Sequence, residues 1–231
     1  MMKKVTPAVE EYLETIYRLE KRDGVAKTNG LVLALNVAAG TVTNTVERLE
    51  REQLVTHEPY KGVKLTEQGK KIALDVLRRH RLSERLLTDF LKFDWGEAHE
   101  AACRLEHGVT SRIANKLEEV LGHPTTCPHG NPIPTMNGTI AEERSRPLVE
   151  LQENDEGTIS RIAHEKTDIL SYLKNQGLVP GVSVEIIEKA PFEGPITLRT
   201  SQNTIVVSQK MASIIEVQDK KQKIGGSHGQ K

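Results

Sequence analysis

Four side chains of the kinds that bind divalent cations fall within a short stretch of the sequence. His99, Cys103, Glu106 and His107 stand at positions i, i+4, i+7 and i+8. This spacing places all four on one stripe of a helix that the pattern predicts over residues 96–107. Mixed nitrogen, oxygen and sulfur ligands suit a first-row transition metal better than magnesium or calcium. The stripe therefore predicts a transition-metal site.

Two other predicted helices carry further candidate ligands. His80 and Glu84 form an i, i+4 pair on a long helix that precedes the stripe. Glu11 and Glu14 lie on the first helix, away from its apolar side, where they could face the helix that carries Cys103. Taken singly, such pairs are usually surface contacts, and a lone buried cysteine usually packs as a small hydrophobic residue. The co-occurrence of these side chains is what favours metal binding.

The elements before these ligands follow the layout of a winged helix-turn-helix. Apolar periodicity predicts helices over residues 7–23, 28–35 and 41–52. Residues 54–57 and 63–65 then alternate as a small hairpin around a break at Pro59. In a helix-turn-helix, the N-terminal part of the second helix of the motif enters the major groove of DNA.

Polar residues on the third helix and at the hairpin tip are the predicted DNA contacts. Asn44 suits an adenine edge, and Thr43 suits a base or a thymine methyl group. The arginines and the lysine suit phosphates, although any one of these residues taken alone is more often simply solvated. The predicted set is Thr41, Thr43, Asn44, Arg48, Arg51 and Lys61.

The remaining elements predict two further regions. Thr66 suits the N-cap of the long helix, which reaches about residue 92, and helices over 96–107 and 111–121 complete an α-helical region that would supply a dimer interface. Polar and proline-rich residues then predict a linker. Short β-type runs and one helix over 167–175 predict a small β-barrel. The predicted domains are 1–66 (winged helix), 67–135 (helical), 136–147 (linker), 148–219 (barrel) and 220–231 (disordered tail).

Composition limits the class of protein. The 231 residues carry no net charge, which counts mildly against a dedicated nucleic-acid binder. There is no apolar run long enough to span a bilayer, and the first residues lack a secretory signal, so we expect a cytoplasmic protein. Two cysteines do not make a disulfide framework. Cys127-Pro-His129 is left out of the predicted metal site, because the prolines and the glycine beside it favour a rigid turn.

Several stretches of the sequence resemble the diphtheria toxin repressor family of iron- and manganese-dependent regulators. They are residues 11–20 (EYLETIYRLE), 40–46 (GTVTNTV), 80–89 (HRLSERLLTD), 99–107 (HEAACRLEH) and 130–134 (GNPIP). The resemblance covers about residues 5 to 135, and the C-terminal barrel looks like the SH3-like domain of the family. It implies a mainly α-helical homodimer with a winged helix-turn-helix, a helical metal-binding and dimerisation domain and an SH3-like barrel, which binds palindromic operator DNA and is not an enzyme.

The resemblance also implies two metal sites in each protomer. Glu11, Cys103, Glu106 and His107 match the activating site. Glu11 resembles the acid of manganese-type members, as does Glu14, whereas a cysteine at the position of Cys103 resembles the iron type. Because a thiolate favours softer metals than manganese(II), the sequence favours iron(II), with manganese(II) as the alternative. Zinc(II), cobalt(II) or nickel(II) could substitute in vitro.

The second implied site is the ancillary site of the family. Its residues here are His80, Glu84 and His99, and in the family two residues of the SH3-like domain complete it. The nearest candidates for those two are Glu165 and Asp168, three positions apart near a short predicted helix.

Two other classes of protein stay open from the residues alone. A metalloenzyme with a di-metal helical bundle would carry paired Glu-x-x-His motifs, and the sequence contains no such pair. A winged-helix regulator that responds to an organic ligand would bind DNA equally well with and without a metal chelator.

Overall fold

The fold is known from a computed structural model that describes residues 5–58, 61–141 and 144–219. Two compact units divide the described residues. The first comprises the residues up to Lys92 together with Glu100–Thr125 and Pro132–Ala141. The second comprises Phe93–His99, Thr126–Asn131 and the residues that follow position 143. The predicted tail over 220–231 lies outside the described residues, and the predicted domain boundaries stay predictions.

The first unit begins with the predicted helix-turn-helix. Its helices are α1 (Pro7–Asp23), α2 (Thr28–Leu35) and α3 (Ala39–Arg51). The Thr6 hydroxyl caps α1, and Gly24, with φ of 78°, ends it in the left-handed conformation that glycine adopts without a Cβ clash. Helix α3 begins two residues before the predicted start, because the Ala38 carbonyl already accepts from the amides of Thr41 and Val42.

The hairpin confirms the winged character of this region. Strands β1 (Val55–Glu58) and β2 (Gly62–Leu65) pair antiparallel, from Val55 opposite Leu65 to Glu58 opposite Gly62. Buried residues of the three helices and the hairpin join one core with α4, and this core supports α3. The members of this core from α3 are Val42, Val46 and Leu49, the three that the periodicity predicted.

Helix α4 is shorter than predicted. It spans Glu67–Arg85 instead of reaching residue 92, and one π-helical turn, Leu86–Phe90, follows it. The Leu91 amide donates to the Leu86 carbonyl at 3.2 Å, which is the wider i to i+5 bond of such a turn. Thr88 contributes to the change, because its hydroxyl donates to the Glu84 carbonyl at 2.9 Å. Helix α6 (Ser111–Val120) packs beside α4.

Helix α5 spans Trp95–Leu105, so the predicted helix over 96–107 ends two residues early. Glu106 and His107 lie in the turn after it, where the Gly108 amide donates to the Leu105 carbonyl at 2.9 Å. The Glu106 amide still donates to the Ala102 carbonyl at 2.9 Å, so the helical path of the backbone continues to Glu106. The division between the two units falls within α5, after His99.

The second unit contains a six-stranded antiparallel sheet that forms the SH3-like barrel. Its strands are β3 (Arg146–Pro147), β4 (Glu156–Ile162), β5 (Ser183–Lys189), β6 (Ile196–Arg199), β7 (Thr204–Val207) and β8 (Ile215–Asp219), in the spatial order β3-β8-β4-β5-β6-β7. Helices α7 (Thr167–Asn175) and α8 (Gln209–Ala212) complete the unit. The sequence predicted β5, β6, β7 and α7 but not β3, β4 or β8. Within the described residues, none of the helices combines the length and apolar character needed to cross a membrane.

Candidate metal centre

Three of the four residues predicted for the activating site meet in the first unit. Glu11 on α1 and Glu106 and His107 after α5 each offer a ligand atom, and these atoms lie within 4.8 Å of one another. His107 Nε2 is 3.5 Å from both Glu11 Oε2 and Glu106 Oε1. Glu11 is half exposed, whereas Glu106 is buried. Two carboxylates and one imidazole in this arrangement can bind a divalent cation.

His80 extends this cluster on the α4 side. Its Nδ1 lies 2.6 Å from Glu106 Oε2, and its Nε2 lies 2.9 Å from Glu84 Oε1. Cys103, whose side chain is exposed, offers its thiol within 4.8 Å of a ring nitrogen of His80. His80 and Glu84, which were predicted for the ancillary site, therefore lie next to the residues predicted for the activating site.

The ionisation of the cluster reflects its burial. Burial and the charge of Glu14 raise the pKa of Glu106 to about 7, against the opposing effect of His80 and His107. Burial acts to lower the pKa of His80, but the charge of Glu84 and hydrogen bonds with Cys103, Glu106 and Glu84 raise it well above its ordinary value. The raised pKa values of Glu106 and His80 favour protonation of these groups near neutral pH, and a cation that binds Glu106 has to displace its proton.

Glu14 has a different environment from Glu11. It is buried on α1 and accepts from Arg18 at 2.8 Å. Burial acts to raise the pKa of Glu14, but the charges of Arg18, His80 and Arg81 lower it. Glu14 does not share a cluster with Glu11 among the described residues, so its role as a ligand stays a prediction.

A carboxylate that the sequence interpretation missed stands next to Glu11. Glu10 Oε2 lies 2.7 Å from His107 Nδ1, and Glu10 Oε1 lies 2.8 Å from Arg79 Nη2. The sequence did show two adjacent acids, Glu10 and Glu11, on the first helix. Periodicity alone does not decide which of the two acids contacts that histidine, because successive helical positions differ by only about 100°.

A second cluster of candidate ligands lies inside the second unit. Cys127, His129 and Glu165 are buried, with Cys127 Sγ at 3.8 Å from His129 Nδ1 and 3.7 Å from Glu165 Oε1. Asn131 donates to the same Glu165 oxygen at 2.8 Å. The rigid turn expected at Cys127-Pro-His129 exists, since the Gly130 amide donates to the Cys127 carbonyl at 3.0 Å. The turn directs both side chains inward, which the sequence interpretation did not anticipate.

The remaining residues predicted for the ancillary site lie apart from that cluster or at its edge. The His99 ring on α5 is half-buried and packs edge-on near the His129 ring, with centroids 6.2 Å apart. Asp168 is exposed on the first turn of α7, where its Oδ1 accepts from the Ile169 amide at 2.9 Å. Asp168 is in none of the metal-ligand clusters found among the described residues, and its assignment stays a prediction.

The predicted DNA contacts lie on the solvent face of the helix-turn-helix. All six residues, Thr41, Thr43, Asn44, Arg48, Arg51 and Lys61, are exposed. Three of them make local contacts: Thr43 donates to the Ala39 carbonyl at 3.1 Å, Arg51 to the Glu47 carbonyl at 3.3 Å, and Lys61 pairs with Glu58 at 2.7 Å. Each of these contacts joins residues three or four positions apart, so the exposed face of α3 and the hairpin tip stay accessible to a partner.

Three family models match consecutive parts of the chain. Residues 4–63 match the N-terminal DNA binding domain of iron dependent repressors, and residues 66–135 match their metal binding and dimerisation domain. Residues 146–219 match the FeoA domain. The matched regions contain the recognition helix, the cluster around Glu106 and the six-stranded sheet.

Relatives and solved structures of the same kind match nearly the whole chain. The iron-dependent repressor IdeR of Mycobacterium leprae is 31% identical over an alignment of 229 positions that covers 94% of this chain and 99% of the relative. The structure of a manganese-dependent transcriptional repressor in complex with manganese superimposes with a TM-score of 0.86 at 29% identity and covers 92% of this chain and 100% of its own. The structure of T. acidophilum IdeR gives a TM-score of 0.79 at 29% identity and covers 95% and 100%.

Proposed function

The chain belongs to the family of iron- and manganese-dependent transcriptional repressors, and from this premise we propose that it represses transcription as a cation-activated homodimer in the cytoplasm. Repressors of this family bind DNA through the N-terminal domain and dimerise through the metal-binding domain. The observation that carries the proposal is the meeting of Glu11, on the first helix of the DNA-binding region, with Glu106 and His107 after α5. A cation held there would connect the sensor to the DNA-reading helices.

The residues of the cluster fit a divalent transition metal. Their ligand atoms approach one another closely, and Glu106 is a buried carboxylate whose charge a cation would offset. A bound cation would supply a positive charge that offsets the carboxylates of Glu11 and Glu106. Glu11 would then hold α1 to the turn after α5, and α1 packs on the helix-turn-helix core. By linkage, operator DNA should tighten cation binding by the same factor as the cation tightens DNA binding.

Anaerobic operator binding with each metal in turn tests this proposal. We expect iron(II) or manganese(II) to strengthen binding to a palindromic operator, and a chelator to remove the effect. Cys103→Ala discriminates between the two metals, because a thiolate contributes more to iron(II) than to manganese(II). An iron response that this variant loses would establish iron(II) as the signal. A manganese response that survives it would assign the decisive role to Glu11 and Glu106. Operator binding that no metal changes would refute the proposal.

We expect cation activation to weaken at acid pH. Glu106, with its pKa of about 7, and His107 must both lose their protons before they bind a cation. As the pH falls through about 7, protons occupy these groups and compete, so the apparent affinity should fall roughly tenfold per pH unit for each proton displaced. Titrations of the metal between pH 8 and 6 measure this slope. A pH-independent affinity would contradict cation binding at Glu106 and His107.

We also propose that the cluster of Cys127, His129 and Glu165 is a second metal centre, which gives two centres in each protomer. A thiol, an imidazole and a carboxylate, all buried and within 3.8 Å of one another, favour a first-row transition metal such as iron(II) or zinc(II). Equilibrium dialysis should therefore find two ions per chain, and His129→Ala should reduce the number to one. The assignment of His80, Glu84, His99 and Asp168 to the ancillary site of the family stays a separate proposal.

The DNA-reading face gives a separate prediction. Asn44→Ala should weaken operator binding by about 1–3 kcal/mol and relax the preference for one base pair, because a bidentate contact to adenine would be lost. Lys61→Ala should instead weaken binding to all sequences and reduce the salt dependence by about one phosphate contact. Binding to operator variants at several salt concentrations separates the two effects. Glu67→Ala, on the first turn of α4, is the control.

A further inference from the structure

The Glu10 carboxylate is held from two directions in the first unit. Its Oε2 lies 2.7 Å from His107 Nδ1, and its Oε1 accepts from Arg79 at 2.8 Å. The side chains of Glu10, Arg79 and His107 are only 14%, 7% and 18% exposed, so water competes weakly for these bonds. A carboxylate held in this way is fixed in position and is available to fix the histidine in turn.

The bond to Glu10 determines which ring nitrogen of His107 faces the other ligands. With Nδ1 directed at Glu10, Nε2 is the atom that lies 3.5 Å from Glu11 and 3.5 Å from Glu106. Histidines that bind metals usually donate the other ring N–H to a carboxylate or carbonyl, which sets the tautomer and the ring orientation. Glu10 occupies that position for His107.

Arg79 connects Glu10 to the backbone of the cluster itself. Its Nη1 donates to the Glu106 carbonyl at 2.8 Å, and its Nε lies 3.1 Å from Asp75 Oδ2 on the same helix. The chain of contacts therefore runs from the His107 ring through Glu10 and Arg79 to the main chain of Glu106. The arrangement joins α1, α4 and the turn after α5 through side chains of the protein alone.

We propose that Glu10 is a positioning residue of the metal centre: it orients the His107 ring so that Nε2 faces the cation, and it ties α1 to the end of α5 before a cation binds. This inference rests on the proposed cation activation. Glu10 acts through His107 and does not itself contact the cation. Of the two adjacent acids on α1, Glu11 is thus the ligand and Glu10 its support.

Cobalt(II) affinity, measured by competition with a chelator, tests the role of Glu10. Glu10→Ala, Glu10→Gln and Asp75→Asn are compared with the parent chain, each with His129→Ala so that the cluster of Cys127 and His129 does not bind the probe. Glu10→Ala should lose roughly 10- to 100-fold in affinity, the usual cost of removing such a partner. Glu10→Gln, which keeps one acceptor, should lose less. Asp75→Asn, which removes a carboxylate partner of Arg79 without touching His107, should stay within about twofold of the parent.

The ring of His107 gives a readout that a merely structural role would not change. In the zinc-loaded chain, nitrogen-15 chemical shifts should show His107 protonated at Nδ1, and Glu10→Ala should lose this single form. Unchanged cobalt affinity and unchanged ring shifts in Glu10→Ala would overturn the inference. If Glu106→Gln abolishes cobalt binding in the same series, the proposed function stands although the inference fails. If Glu106→Gln also leaves the affinity unchanged, the proposed function fails with it.

Discussion

Glu106→Gln should abolish the response of operator binding to a divalent cation. Glu106 is the centre of the cluster: one carboxylate oxygen lies 2.6 Å from His80 and the other 3.5 Å from His107. The amide keeps the shape of the side chain but removes the charge that a cation needs. With a coupling of about 1–3 kcal/mol per protomer, a dimer should lose about 2–6 kcal/mol of activation, a factor of roughly 30 to 25,000 in operator affinity.

Glu100→Gln is the matched control for this experiment. Glu100 lies on α5, is exposed and pairs with Arg104 on the same helix, so its amide variant changes the charge of α5 without entering the cluster. It should respond to the cation as the parent chain does. Fluorescence anisotropy with labelled operator, with and without metal, measures both variants. A full cation response in Glu106→Gln, with its melting temperature unchanged, would show that the sensor lies elsewhere.

Local periodicity was sufficient to predict the DNA-reading part of the fold. Val42, Val46 and Leu49 recur at helical spacing, and all three are buried in the core of the first unit, so the opposite face of α3 had to be exposed. The same reasoning predicted the ligand types near Cys103. It did not predict that α5 ends at Leu105. The Glu106 carbonyl after this end accepts from Arg79, a residue far earlier in the chain, and local periodicity contains no information on such a contact.

Long-range contacts explain what the sequence interpretation missed. Glu10 contacts His107 across 97 positions, and a single sequence does not show which of two adjacent acids makes that contact. The turn at Cys127-Pro-His129 was predicted, but the inward direction of its two side chains was not. The Ile162 amide on β4 donates to the His129 carbonyl at 2.9 Å, and this bond to a strand that was not predicted fixes where the turn directs its side chains.

Because that turn lies close to β4, we expect Gly130→Ala to destabilise the second unit strongly. Gly130 has φ of 84°, and a Cβ added there would lie 2.0 Å from the Ser160 carbonyl oxygen and 2.8 Å from Arg161 Cα. The left-handed backbone alone costs an L-residue about 1–2 kcal/mol. Overlap with a backbone oxygen cannot be relieved by a rotamer change, so the turn must move away from the strand. We expect a loss of more than about 3 kcal/mol in the free energy of unfolding.

Gly177→Ala separates the two causes of this loss. Gly177, in the same unit, has φ of 72° but nothing within 4 Å of an added Cβ, so it should lose only the backbone contribution of about 1–2 kcal/mol. Denaturant unfolding measures both variants.

Displacement of the turn should also expose Cys127, which is 1% exposed in the structure. Its reaction with a thiol reagent should therefore accelerate in Gly130→Ala but not in Gly177→Ala. Both are made with Cys103→Ala, because the Cys103 thiol is exposed. Equal losses of stability and equally slow thiol reactions would show that the turn does not depend on its contact with β4, and the buried cluster of Cys127, His129 and Glu165 would lose its structural basis.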